Sequence, residues 1–511
     1  EQISSMGVAP GKEYNQNHQV GVAYGSGCST VTAKDFVLPG RGGLDLTISR
    51  SYDNQTAQAD WGLDEDNVFS AMFSFLDFGD PFFNFLANMV SQQIDRYLAR
   101  LKDCYGFGRG WRLNFVWVEN NDNGQFVHLP GGGMKKINWT MDGPGWDGQG
   151  HGRFECHAGE HFTLEKFQTK QGDIYSQTGS EGQPVKVGEN WATHQYILTT
   201  REGTKYYMNG DGHLLRIVNR LGTSEITFHY QSDGKKIDYI LDSVGRKIQF
   251  SYSGDMISSI TAAGKTVTYS YNNDELSVVN DGGIWQTRYN YGAYTIKSGS
   301  QTVSAVNIIT SILTQNWIGL IAGLLPSGRE DTVYYLASVT TPFGGEYRFE
   351  YTSYAAMRYA TGFLSISTMW YEFYKVTRFR ELGSSHNKDT RIEYTIVYSN
   401  DQAPEVAECN IYEGKRRTYM MFERYSNSVD KDTVMMTNQV IYGEHDRIIS
   451  SHTIADFDRE LEVPLKVVDQ TGGRNTVQEF KYDNWGNLIW QRNSKTKVEA
   501  FYSYANTSAP T

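Results

Sequence analysis

The sequence is poor in cysteine and in proline. Four cysteines occur in 511 residues, far apart and never as a C-x-x-C pair: Cys28, Cys104, Cys156 and Cys409. This spacing argues against a fold that depends on a disulfide framework. With only 11 prolines, the chain is also not a proline-rich disordered protein.

Positively charged residues are fewer than negatively charged ones. The 58 Asp and Glu residues outnumber the 47 Lys and Arg residues, which gives a net charge of −11. An acidic surface repels phosphate backbones, so we expect no nucleic-acid partner. The motifs G-x-S-x-G and H-E-x-x-H are missing, and no other nucleophile, metal or cofactor motif is identifiable. We therefore expect a non-enzymatic chain without a cofactor.

Tyrosine and glycine are abundant, and they recur in step. Four strand-like segments, EITFHY, RKIQFSY, KTVTYSY and IWQTRYNY, end at tyrosines spaced by 22, 19 and 20 residues: Tyr230, Tyr252, Tyr271 and Tyr291. The glycines before them keep nearly the same spacing: Gly222, Gly245, Gly264 and Gly283. The pattern returns as GGEYRFEY, as EFKYDNWGNLI and as VEAFYSY. This repetition predicts a stack of short hairpins that share one continuous sheet.

Within each segment, polar and apolar residues alternate. Ile248, Phe250 and Tyr252 are predicted to face one way, and the intervening polar residues the other. Val267, Tyr269 and Tyr271 form the same pattern one unit later. A period of two residues indicates a strand with one buried and one wetter face. We interpret the less regular stretch 353–465 as longer strands of the same sheet.

Four segments resemble the Rhs or YD-repeat family of bacterial polymorphic toxins. Tyr482–Leu488 (YDNWGNL) is similar to the repeat signature, and Asp35–Gln55 (DFVLPGRGGLDLTISRSYDNQ) to the segment that opens the repeat region. Gly106–Phe115 (GFGRGWRLNF) resembles the strand that follows, and Leu198–Gly222 the first regular repeat. The resemblance implies a β-sheet ribbon that spirals into a hollow shell around a C-terminal polypeptide, often a toxin.

One family feature is missing from this sequence. Family members end the shell with a cap that carries a self-cleavage motif of the D-P-x-G type. The only Asp-Pro here is Asp80-Pro81, which is followed by two phenylalanines and lies near the wrong end of the chain. Self-cleavage and the cargo itself are therefore not carried over. Because the chain starts at Glu1 without a visible signal peptide and ends directly after a repeat, we interpret it as part of a longer protein.

Two segments break the strand pattern and predict helical insertions. In residues 61–104, Asp80 and Pro81 are suited to the first turn of a helix, and apolar residues follow at helical spacing. In residues 298–330, the stretch Ser298–Gly328 carries no charge but has an apolar stripe that includes Leu313 and Leu320. Each insertion is interpreted as a helix packed on the sheet; contact with a membrane or a partner is the alternative.

Three smaller features of the sequence are candidate functional sites. His151, Cys156, His157 and His161 form the densest group of metal-capable side chains, but their spacing fits no standard zinc pattern, and we interpret them as an ordinary polar loop. Gly106–Gly110 (GFGRG) resembles part of a phosphate loop but precedes a strand, which predicts a turn. Arg50 alternates with Leu46, Ile48 and Tyr52, so it should point inward and form a structural ion pair.

The sequence therefore predicts an all-β, YD-repeat sheet ribbon that spirals into a shell with two helical insertions. Its expected parts are an opening segment (1–60), a helical insertion (61–104), irregular β structure (105–200), regular repeats (201–297), an uncharged helix (298–330) and further repeats (331–511). The expected function is a secreted or cell-surface shell that encloses and helps deliver a C-terminal effector, with that cargo or other protein chains as partners. The alternative is a carbohydrate-binding or adhesion module, which would expose its aromatic face in a groove.

Overall fold

The computed structural model describes residues 18–54, 57, 106–121, 124–129, 134–137, 151–156, 162–167, 169–170, 173–174, 185–187, 190–192, 194–283, 286–304, 327–361, 365–383, 387–399, 402–425, 433–484 and 486–503. Two small sheets come first in the chain. The first, called the opening sheet, contains β1 (His18–Ala23), β2 (Cys28–Leu38), β3 (Leu46–Asp53) and β4 (Trp111–Leu113). The second contains β5 (Trp117–Asn121), β6 (Gly124–His128) and β7 (Met134–Ile137).

The next strands include the start of a much larger sheet. They are β8 (His151–Cys156), β9 (Phe162–Phe167), the two-stranded pairs β10 (Thr169–Lys170) with β11 (Asp173–Ile174) and β12 (Val185–Val187) with β13 (Asn190–Ala192), and then β14 (Tyr196–Thr200), β15 (Lys205–Met208), β16 (Leu214–Val218), β17 (Glu225–Tyr230), β18 (Ile237–Leu241), β19 (Lys247–Ser253), β20 (Met256–Ala262), β21 (Lys265–Asn272) and β22 (Glu275–Asn280).

Longer strands follow. They are β23 (Gln286–Ser304), β24 (Ser327–Thr340), β25 (Glu346–Thr361), β26 (Ser365–Leu382), β27 (Asn387–Ser399), β28 (Gln402–Glu413), β29 (Arg416–Tyr425), β30 (Thr433–Tyr442), β31 (Ile448–Asp458), β32 (Val463–Thr471), β33 (Arg474–Tyr482), β34 (Leu488–Asn493) and β35 (Glu499–Phe501). A short 3-10 helix, Glu444–Asp446, joins β30 to β31.

One antiparallel sheet, called the repeat sheet, holds β8, β9 and β14–β35. β9 pairs with β14, and from there to β35 each strand pairs with the next along the chain. β23 also pairs with β26 through Ser298–Ser304, so β23, β24, β25 and β26 form a closed circuit of hydrogen-bonded neighbours. The all-β prediction and the continuation of the sheet through 353–465 are confirmed.

The predicted alternation sets which face of each strand is buried. Ile248 and Phe250 are 0% and 2% exposed, whereas Lys247 and Ser251 on either side of them are exposed. Each such aliphatic or aromatic side chain contributes about 1.5–3 kcal/mol when it is removed from water. One hydrophobic core joins the opening sheet, the small β5–β7 sheet and the repeat sheet as far as Met436. The opening sheet therefore covers the apolar face of the repeats.

A five-residue loop closes several hairpins of the repeat sheet. In the loop that starts at Asp242, the amide of Gly245 donates to the Asp242 carbonyl, and the Asp242 carboxylate accepts from the amide of Arg246 at 2.8 Å. Gly245 has a φ of +86°, which L side chains rarely adopt. The loops that start at Asn219 and Asp483 repeat this arrangement. The Asp and Gly of the YDNWGN signature are thus the cap and the left-handed residue of one turn.

The two predicted helical insertions fall largely on residues that the structure does not describe. Asp80, Pro81 and the whole of 61–104 lie there, as do Leu313 and Leu320. At the edges of the second insertion the prediction was wrong, because β23 continues through Ser304 and β24 begins at Ser327. Ser298–Ser304 contains Thr302 and Val303, whose branched side chains suit a strand, and it pairs with β26. In the described part of the chain no complete α-helix is present.

Candidate functional site: the buried junction between the opening sheet and the repeats

Arg50 is the most deeply buried cation in the described part of the chain. It lies on β3, between Ile48 and Tyr52, and is 2% exposed. Its partner Asp35 lies at a β-bulge of β2, where the register against β3 shifts between Lys34 and Phe36. A bulge re-aims one side chain, and here it turns the Asp35 carboxylate toward the core. The predicted inward-facing ion pair of Arg50 is confirmed.

Tyrosines of the repeat sheet complete the bonding of this pair. Arg50 Nε donates to Asp35 Oδ2 at 3.0 Å, and Arg50 Nη1 donates to the hydroxyl of Tyr289 at 2.9 Å. The Tyr269 hydroxyl donates to Asp35 Oδ2 at 2.8 Å. The guanidinium also stacks 4.9 Å from the centre of the Trp111 ring. We call these five residues, Asp35, Arg50, Trp111, Tyr269 and Tyr289, the junction cluster.

The electrostatics of the junction cluster keep the Arg50 guanidinium charged. Burial disfavours the charged guanidinium, but the Asp35 carboxylate and the tyrosine oxygens outweigh it and raise the pKa of Arg50 above its ordinary value. Burial is also the main reason that the pKa of Tyr269 is raised, with Asp35 adding to the effect. The phenols of Tyr269 and Tyr289 therefore stay protonated and act as hydrogen-bond partners. The cluster cross-links two sheets in a site closed to solvent.

The glycine-rich segment Gly106–Gly110 docks beside this cluster. Gly106, Gly108 and Gly110 all have positive φ, and a Cβ on Gly106 would lie 2.5 Å from the carbonyl oxygen of Asp255. The amide of Ile257 donates to Gly106 O at 2.7 Å, which brings two backbones into direct contact. Phe107 is then fully buried. The predicted turn is confirmed, and it joins the opening sheet to β20–β22.

Further bonds attach the opening segment, defined here as residues 18–54 and 106–118, to successive strands of the repeat sheet. Toward β16–β22 they involve Asn219 with Gly42, Ser243 with Arg41 and Leu44, and Asp274 with Arg109. Toward β23–β26 they involve Tyr291 with Trp111, Leu336 with Tyr52, Tyr351 with Ser29, and Val376 with Gly27. The opening segment is thus bonded to many successive strands of the repeat sheet.

The repeat tyrosines themselves form a second regular feature. Each phenol reaches back to a carbonyl of the preceding strand at 2.7–3.0 Å, as in Tyr230 to Leu214, Tyr252 to Ile237, Tyr271 to Ile257, Tyr291 to Leu276, Tyr351 to Leu336 and Tyr394 to Val376. Nearly all of these tyrosines stand at a bulge in the ladder to the following strand. All six pack against the main core. These tyrosines point into the protein and do not line an open groove.

A second buried polar pair lies in the small sheet. His128 Nε2 and Glu119 Oε2 are 2.9 Å apart, with side chains 10% and 5% exposed. The His128 ring stacks on Trp117 with the ring centres 4.2 Å apart. Sequence reasoning missed this pair because nine residues separate its members and only the β5–β6 hairpin brings them together. Its burial suits a packing role within the small sheet.

The histidine- and cysteine-rich group is only partly described. His151 and Cys156 lie on strand β8, which corrects the prediction of a loop at that place. Residues 151–156 form the strand because they pair with β9. The glycines around them suggested a loop in the sequence. His157 and His161 lie outside the described residues. Among the residues that the structure describes, no three His, Cys, Asp or Glu side chains converge in a metal-binding arrangement.

Two further findings bear on function. In the part of the chain that is described, no helix is long and apolar enough to span a membrane. A scan against protein-family models and a search of the curated proteins gave no match to this chain.

Proposed function

We propose that this chain is the structural, non-enzymatic shell of an Rhs-like YD-repeat protein that encloses a C-terminal effector and helps to deliver it. The proposal rests on the sequence resemblance and on one relationship in the repeat sheet. Arg201, in the β14–β15 turn, donates from Nη2 to Oδ1 of Asn487, in the β33–β34 turn, at 3.3 Å. Two hairpins 286 residues apart thus meet, as expected for a ribbon that winds around a volume.

The distribution of polar and apolar side chains supports the same proposal. Apolar residues and repeat tyrosines face the main core, and the other face of the strands carries exposed polar residues such as Thr266, Thr268 and Ser270. Ion pairs such as Arg378 with Asp389 lie on the exposed surface of the longer strands. A wall with one apolar and one polar surface suits a container placed in water.

The adhesion alternative needs an exposed aromatic groove, and the repeat tyrosines do not provide one. Tyr269, Tyr289 and Tyr335 are 4%, 2% and 0% exposed. Tyr351 bonds to Ser29 of the opening segment. A carbohydrate site would therefore need other residues.

Small-angle X-ray scattering of the purified chain tests the shell directly. A hollow particle has a pair-distance distribution whose maximum is shifted to longer distances than in a solid globule of the same mass. We expect that shift. A distribution typical of a solid globule or of an extended rod would overturn the proposal.

A second experiment addresses the contents of the shell. The gene product in its natural length is treated with a protease in native buffer and again in a denaturant concentration that unfolds the sheet. We expect any polypeptide encoded after Thr511 to be protected in the first condition and digested in the second. Equal digestion in both conditions would show that the sheet encloses nothing.

A further inference from the structure

The repeat sheet is anchored unevenly. The hydrogen bonds described above tie the opening segment to positions from Asn219 to Val376, which covers β16 to β26. The last strands rely instead on a separate small core made of Tyr425, Met435, Ile454, Phe457, Val467 and Phe480. Members of this small core are 3–9% exposed, whereas Ile248, Ile257 and Ile260 of the main core are fully buried. The last strands therefore depend on less buried apolar surface.

Some polar groups of β29, β30 and β33 are buried without a partner among the described residues. The hydroxyls of Tyr425, Thr437 and Tyr482 are buried and have no hydrogen-bond partner among the described residues. Tyr482 is the tyrosine of the YDNWGN signature, and its counterparts from Tyr230 to Tyr394 all donate to a carbonyl. A buried hydroxyl without a partner has lost its bonds to water without replacement, which costs free energy. Each one lowers the stability of the strand that carries it.

The ladder between β30 and β31 is shorter than the two ladders beside it. Only five residue pairs join these strands, from Asn438–Thr453 to Tyr442–Ile448, whereas nine join β29 to β30 and eight join β31 to β32. The turn between them contains two successive non-glycine residues at positive φ, His445 at +57° and Asp446 at +54°. Such a backbone costs free energy that the neighbouring contacts must offset.

On its far side, the same group of strands meets the start of the repeat sheet at Arg201 and Asn487. Asn487 is 2% exposed and is fixed by Asp483, which accepts from its amide group at 3.0 Å. The bond from Arg201 is charge-assisted and reaches this rigid turn from β14–β15. It is therefore placed to hold the last strands against the first.

We infer that β31–β34 form a flap that opens as one cooperative unit along the β30–β31 ladder, and that the Arg201–Asn487 bond is its latch. Opening separates Ile454, Phe457, Val467 and Phe480 from Tyr425 and Met435, and leaves the anchored strands β16–β26 in place. Proteins open in such units wherever buried contacts are few. The flap goes beyond the proposed function, because it does not depend on what, if anything, lies inside.

Hydrogen–deuterium exchange on the full 511-residue chain tests the latch. Arg201→Met is expected to speed the exchange of amides in β31–β34 by about tenfold and to leave β20–β25 unchanged. Arg492→Met is the matched control: Arg492 lies in the same region and has an exposed pairing with Glu499, and its loss should change nothing. Faster exchange throughout the sheet after Arg201→Met, or no change at all, would overturn the inference.

A disulfide across the β30–β31 ladder tests independently where the flap opens. Asn438 and Thr453 are directly paired and their side chains are 3.2 Å apart, so the double change Asn438→Cys with Thr453→Cys has suitable geometry. Under oxidising conditions this bridge should cancel the effect of Arg201→Met on β31–β34, and reduction should restore it. If the bridged variant exchanged as fast as the reduced one, the opening line would lie elsewhere. Neither result depends on the scattering test of the shell.

Discussion

The phenol of Tyr252 donates a hydrogen bond to the main-chain carbonyl of Ile237 at 3.0 Å, so that each of these two adjacent strands holds the other in register. The ladder from β19 to β20 shifts its register at this tyrosine. Ile237 itself lies at the register shift between β17 and β18, and the tyrosine hydroxyl reaches its carbonyl. The repeat tyrosine therefore contributes a specific bond as well as apolar area.

This bond can be measured by comparing two tyrosines. Tyr252→Phe should lower the free energy of unfolding by about 1 kcal/mol, since it removes a buried hydrogen bond and leaves the Ile237 carbonyl without that donor. Tyr482→Phe should be neutral or stabilising, because the Tyr482 hydroxyl is buried without a partner among the described residues. Chemical denaturation of both variants provides the check. Equal destabilisation by the two changes would contradict this account.

The junction cluster predicts a large effect for a single charge. Arg50→Met should lower the free energy of unfolding by about 3–5 kcal/mol, because it leaves the Asp35 carboxylate buried without its cation. The double variant Arg50→Met with Asp35→Leu should recover most of that loss, since no uncompensated charge remains. Denaturant midpoints measure both variants.

An exposed arginine serves as the control for that experiment. Arg378 pairs with Asp389 at 2.6 Å on the surface, where solvent screens the interaction, and Arg378→Met should cost far less than Arg50→Met. If Arg50→Met were as mild as Arg378→Met, the junction cluster would not hold the opening sheet in place.

Two glycines with the same backbone conformation should respond differently to alanine. Gly245 and Gly212 have φ of +86° and +84°, but a Cβ on Gly245 meets nothing within 4 Å, whereas on Gly212 it would lie 1.7 Å from the Val118 carbonyl oxygen. Gly245→Ala should cost about 1–2 kcal/mol from backbone strain. Gly212→Ala should cost clearly more, because it must also separate β5 from the turn. Thermal unfolding of the two variants decides this, and similar melting temperatures would argue against the close docking of β5.

Two buried cysteines, Cys28 and Cys409, should be unreactive in the native state. Burial raises the pKa of the Cys409 thiol to about 12, and Cys28 is 6% exposed. At pH 8 a thiol with that pKa is about one part in ten thousand thiolate, and the thiolate is the form that alkylating reagents attack. Iodoacetamide at pH 8 followed by peptide mapping should leave both positions unlabelled until guanidinium is added. Rapid native labelling of Cys409 would mean that β28 opens readily.

Local pattern in the sequence was enough to predict the strands but not their partners outside the hairpin. Ile248 and Phe250 alternate with polar residues, and this alone fixes which face of β19 is buried. The sequence predicts that Arg50 points inward and forms an ion pair, but it does not identify Asp35 as the partner. Asp35 turns inward only because β2 bulges there, and a bulge leaves no reliable mark in a single sequence.

Contacts between residues far apart in the sequence could not be predicted, for the same reason. The pairing of Ser298–Ser304 with β26 depends on how two hairpins cross in space, so an uncharged stretch was misinterpreted as helix. The contact between Arg201 and Asn487 joins turns that no local pattern connects. The carboxylate of Asp242 caps its own loop, and the repeated Asx-x-x-Gly spacing is the trace of this role in the sequence.

The self-capped loop has a consequence for how such a chain can change in length. Because Asp242, Asn219 and Asp483 each fix their own hairpin within five residues, the register of one hairpin does not depend on the next. A gene could therefore gain or lose one unit of two strands among the last repeats without shifting its neighbours. Among β16–β26 the same event would misalign the bonds to the opening segment, which has a fixed length. Duplication and deletion of repeats should thus accumulate on the C-terminal side of Val376, while the number of units before it stays constant among descendants of the gene.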